Sequence, residues 1–70
     1  MTKRDFTAIA VIFKREIDTA LAHRHLSEAD ALARMARLIA VELSRQAGSF
    51  RFHTFYAEAG LTTDGFVPIR

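Results

Sequence analysis

Ser27-Glu28-Ala29-Asp30-Ala31-Leu32-Ala33-Arg34-Met35-Ala36-Arg37-Leu38-Ile39-Ala40-Val41-Glu42-Leu43 is the stretch whose periodicity decides the fold. Leu32, Met35, Ala36, Ile39 and Leu43, with Ala47 beyond them, recur at steps of three and four, which sets them along one stripe of an α-helix. Ser27 reads as the N-cap, with Asp30 three residues on as its capping partner. Glu28 adds negative charge where the helix dipole favours it. Gly48 supplies a residue that tolerates the left-handed conformation ending many helices. A helix over 28–47 is predicted.

The same logic extends upstream. The hydroxyl of Thr2 is placed to accept the amide of Asp5 while the Asp5 carboxylate reaches back, a capping box. Phe6, Ile9, Ala10, Phe13, Ile17, Ala20 and Leu21 then form a second apolar stripe, and His23, Arg24 and His25 suit the carbonyl end of a helix. This predicts a helix over 3–24. Two helices of such length joined by so short a connection run antiparallel, stripe to stripe.

Downstream, Phe50, Phe52, Phe55 and Tyr56 crowd a short third helix, 51–59, closed by Gly60 and Leu61. So much aromatic surface on so short an element predicts packing across the open side of the hairpin. Thr62, Thr63, Asp64 and Gly65 read as a turn, and Phe66, Val67, Pro68 and Ile69 as an extended end to a tail over 61–70. The expectation is one all-α domain, 1–70: an antiparallel helical hairpin, a short third helix and an extended C-terminal tail.

Composition agrees. Half of the 70 residues are hydrophobic and 26 % are charged, the balance of a folded globular chain. The absence of cysteine excludes disulfide reinforcement and thiolate metal sites. The longest apolar run, Ala8 to Phe13, is far below the ~20 residues that span a bilayer, so no membrane association and a cytoplasmic location are expected. A net charge of +2 is a mild bias towards anionic partners.

Folding leaves some side chains over. Val11 and Ile12 lie off the first stripe, and Leu38 and Val41 off the second, which points to a homodimer built around Ile12 and Leu38 with Val11 or Val41 at its margin. Arg34, Arg37 and Arg45 form the nearest approach to a basic face, suited to phosphates or an acidic partner, with Asp30 and Glu42 as local counter-charges. His23 and His25, two apart on a helix, would diverge, and no third metal ligand is evident beside them or His53. His53, Tyr56 and Glu58 lack a pocket-forming neighbour, and no phosphate loop, nucleophile motif or carboxylate pair is present. Neither a cofactor nor enzymatic activity is expected.

The opening Met1 to Phe6 with Ile9 and Ala10, the arginine-rich middle helix, and the Phe50 to Gly60 segment with Phe-x4-Phe-x4-Gly spacing resemble small helical proteins of phages and prophages. The resemblance covers about residues 1 to 61 and departs from the group at Gly48 and Ser49, where an Asn-Pro and more charge are usual. It implies a host or phage protein as the partner and carries over no functional residue. The expected function is therefore a small non-enzymatic interaction module, a binder or inhibitor of a host protein complex. The alternative is nucleic-acid binding through the arginine face.

Overall fold

The computed structural model describes residues 1–68. Three helices follow in order: α1, Lys3–Ala22; α2, Leu26–Gln46; and α3, Phe52–Glu58. The first two pack antiparallel, α3 lies across one side of the pair, and the whole measures 36 × 18 × 16 Å. Among the described residues there is no strand, and no helix is long and apolar enough to cross a membrane. Ile69 and Arg70, the end of the predicted tail, lie outside the described residues.

α1 opens as its sequence predicts, with Thr2 and Asp5 closing a capping box. Its carboxylate arm is the strong one: Asp5 Oδ2 accepts the Thr2 amide at 2.8 Å, and the Asp5 amide also donates to the Thr2 carbonyl at 3.0 Å. The helix stops at Ala22, two residues short of the predicted end, because Arg24 turns left-handed at φ 58°. The amide of His25 then donates to the Ala20 carbonyl at 2.8 Å and that of Arg24 to Leu21 at 3.0 Å. This is a Schellman cap with arginine where glycine usually sits.

That tight turn changes the start of α2. The chain is already aimed back along α1 at His25, so the helix begins at Leu26 with His25 as its cap and no side-chain capping bond. Ser27, read as the N-cap, is instead an exposed residue within the first turn. At the far end Ala47 is extended, with φ −144° and ψ 117°, and Gly48 is not in the left-handed region. The extended exit carries Phe50 into the core, so the predicted glycine cap at Gly48 gives way to a turn in which the Phe50 amide donates to Ala47 at 3.1 Å.

α1 buries Phe6, Ala10, Phe13, Ile17 and Ala20, with Ile9 and Leu21 partly covered, as its stripe predicts. α2 is rotated from its predicted setting. Its buried residues are Ala29, Ala33, Ala36, Ala40 and Leu43, while Leu32 and Ile39 are at the margin and Met35 is 51 % exposed. The physical reason is complementarity of size. Phe6, Phe13 and Ile17 fill the interface from one side, so the opposing ridge must be small for the helices to close.

Over one side of this pair, Phe50 meets Phe6 edge-on at 5.1 Å and Phe55 at 5.4 Å. Phe55 is almost wholly buried and Tyr56 largely so, whereas Phe52 sits at the rim. α3 spans 52–58, a residue shorter at each end than predicted, and ends in a second Schellman cap. Gly60 there has φ +75°, and the amide of buried Leu61 donates to Tyr56 at 2.9 Å. Thr62 to Gly65 form the predicted turn, but the segment after it is tethered rather than free. Arg37 Nη1 donates to the Gly65 carbonyl at 2.7 Å, and its guanidinium lies 4.1 Å over the Phe66 ring.

Candidate interaction surfaces

The side of the hairpin that α3 covers is marked by contacts. The Thr7 hydroxyl donates to the Glu58 carboxylate at 3.1 Å, Lys14 packs beside Gly60, and Arg37 holds the tail. At about 100° per residue, these side chains all fall on one flank of their helices relative to the buried stripe. The other flank of the α1–α2 layer therefore has no third helix over it among the described residues. On this open flank stand Ile9 and Ile12 from α1 and Leu32, Met35 and Ile39 from α2. Ile12 and Met35 are each 51 % exposed.

The four residues expected to form a dimer surface are all exposed, but they do not all point one way. Ile12 belongs to the open flank. Leu38, 66 % exposed, points directly away from the hairpin interface, and Val11 and Val41 lean towards the side that carries α3 and the tail. Met35, which the sequence places in the core, is half exposed, while Ile9, Leu32 and Ile39 pack against the core as expected and present their remaining surface to this flank. On α2 the signal is the alanine spacing at 29, 33, 36 and 40, which competes with the larger residues for the inward position.

The arginines are likewise divided. Arg34 and Arg45 project outward, whereas Arg37 is committed to Gly65 and Phe66. Arg45 also lies 3.7 Å from Glu42, and Arg34 shares a shallow depression with Asp30. Around the open flank the charges are of one sign. Asp5 and Glu16 on α1 and Glu28 and Glu42 on α2 lie along it, while no Lys or Arg of either helix does. The cations of α1 (Lys3, Arg4, Lys14 and Arg15) and of α2 (Arg34, Arg37 and Arg45) point outward or to the α3 side.

A crevice of about 100 Å³ opens between the start of α1 and the start of α3, with Phe6, Phe50 and Phe55 as its floor and Lys3, Arg51 and Glu58 at its walls. Glu58 lines it, but His53 and Tyr56 do not. His53 is exposed, and Tyr56 packs between Phe52 and Phe55. The His23 and His25 rings do not diverge as on a continuous helix; the Arg24 turn sets their centroids 5.9 Å apart. Comparison of the chain with protein-family models, curated proteins and solved structures returns no match.

Proposed function

We propose that this chain is a small, non-enzymatic protein-interaction module that docks another protein on the open flank of its hairpin. The observation that carries this reading is the apolar flank away from α3, where half-exposed Ile12 and Met35 stand beside the partly covered Ile9, Leu32 and Ile39. Large apolar side chains grouped on one face are a feature of docking sites rather than of an ordinary solvated surface. A homodimer formed face to face through this flank would oppose the acids of one copy with the same acids of the other, which disfavours self-pairing. A different protein is the better occupant. The resemblance to phage-encoded helical proteins supports a host complex as that partner, with occlusion of a surface as the effect.

Nucleic-acid binding is the second reading, favoured by the gathering of cations away from the open flank. It is weakened by the tethering of Arg37 to the tail and by the counter-charges of Asp30 and Glu42. Affinity capture with the wild-type chain, with Met35→Glu and with Arg34→Ala/Arg45→Ala separates the two. A protein retained by wild type and by the arginine variant but lost with Met35→Glu is the expected result. Binding of duplex or single-stranded DNA that falls steeply with salt and is abolished in the arginine variant would replace this reading with the second.

A further inference from the structure

We infer that the segment received by the open flank is a basic amphipathic helix: apolar along one stripe, with lysine or arginine on both sides of it. The inference rests on the interaction role proposed above and adds the chemistry of the partner.

Shape argues for a helix. The open flank is the groove between two antiparallel helices, lined on one wall by Ile9 and Ile12 and on the other by Leu32, Met35 and Ile39 at helical spacing. An apolar stripe laid along it would complete a three-helix layer on this side, much as the aromatic residues of α3 close the other. Between Glu28 and Glu42 the groove runs about 20 Å, the length of some four helical turns. Met35, unbranched and half exposed in the middle of the wall, can adjust to the shape of an incoming side chain.

Charge selects the partner. Asp5 and Glu16 border one wall, and Glu28 and Glu42 the other. Asp5 accepts the Thr2 amide at 2.8 Å, Glu42 accepts from Gln46 at 3.0 Å with Arg45 at 3.7 Å, and Glu28 has only His25 at 3.9 Å, whereas Glu16 has no ion-pair partner among the described residues and is the acid most open to an incoming cation. An acidic helix or an anionic lipid surface would meet like charge on both borders, while a basic one would meet opposite charge on both. The molecule as a whole is cationic, at +2, so overall attraction does not explain binding of a basic peptide. Among the described faces of α1 and α2, only this flank offers the required sign.

The test uses the full chain and two synthetic helical peptides of about 18 residues, identical leucine stripes flanked by lysine in one and glutamate in the other. Anisotropy should show the lysine peptide binding at least about tenfold more tightly than the glutamate peptide, weakening as salt rises. Amide resonance shifts should centre on Ile9, Ile12, Met35 and Ile39. Glu16→Lys/Glu42→Lys, with unchanged circular dichroism, should reverse the preference. Equal or tighter binding of the glutamate peptide on the same flank would overturn the basic-helix inference and leave the interaction role standing. Shifts centred on Arg34 and Arg45, or no binding of either peptide at millimolar concentration, would also overturn it. The interaction role falls separately, if Met35→Glu leaves every captured partner in place.

Discussion

Gly65 shows how much can hang on one missing side chain. Its φ is +85°, and a Cβ there would come within 2.8 Å of both Arg37 Cγ and the Tyr56 ring. Gly65→Ala should therefore cost about 2 kcal/mol, measured by urea denaturation, from left-handed strain combined with overpacking. Tyr56, on the other side of that contact, has its hydroxyl pKa raised above the ordinary value by burial, with Arg37 pulling it modestly down. The folded chain thus holds this proton more tightly than the unfolded one. Its contribution to stability is complete below about pH 10 and is lost as pH climbs through the raised value. Tyr56→Phe should flatten the alkaline fall in a pH series of thermal melts. Neither Gly65 nor Arg37 announces this role in the sequence. Their contact spans 28 positions, and no local pattern encodes it.

Helix ends and helix faces were unequally legible. Thr2 and Asp5 could be paired by reading alone, because a capping box is local chemistry at fixed spacing. Ser27 and Asp30 have the same spacing, yet the chain enters α2 two residues earlier, because the left-handed Arg24 completes the turn without help. Asp5→Ala, which removes the carboxylate arm, should accordingly cost about 1 kcal/mol and Ser27→Ala only a few tenths, in chemical denaturation of each variant. The face of α1 was legible because its large residues are also its buried ones. On α2 the large residues Met35 and Ile39 outweighed the alanines in any hydropathy reading, although the alanines are what fits against Phe6, Phe13 and Ile17. Ala36→Leu should destabilise by about 1–3 kcal/mol, since that seam has no room for added volume. Met35→Ala should change the midpoint little, the reverse of what the predicted stripe implies.

Taken whole, the molecule is thin for its mass. Its accessible surface of 4860 Å² exceeds the ~4,400 Å² average for a monomer of 7.9 kDa, in keeping with a hairpin covered on only one side. A chain this short has a total stability of roughly 4–10 kcal/mol. Phe55 is 1 % exposed, and Phe55→Ala should remove about 3–5 kcal/mol, leaving a substantial unfolded population visible by circular dichroism at 37 °C. The class, the hairpin and the aromatic cover over it were readable from periodicity and residue size. The open flank was not, because it depends on which side α3 chooses, and that is set by contacts such as Thr7 with Glu58, 51 positions apart.

The absence of any α1 or α2 cation from the open flank, which Asp5, Glu16, Glu28 and Glu42 border, also gives the molecule an electrical dipole across its short dimension, although Asp18 and Asp30 lie among the cations. A dipole of this kind turns itself in a field. On a sulfonated bead the protein would settle with its arginines downward, leaving Ile12 and Met35 facing the mobile phase and available for capture; on a quaternary-amine bead the same groups would be hidden against the matrix.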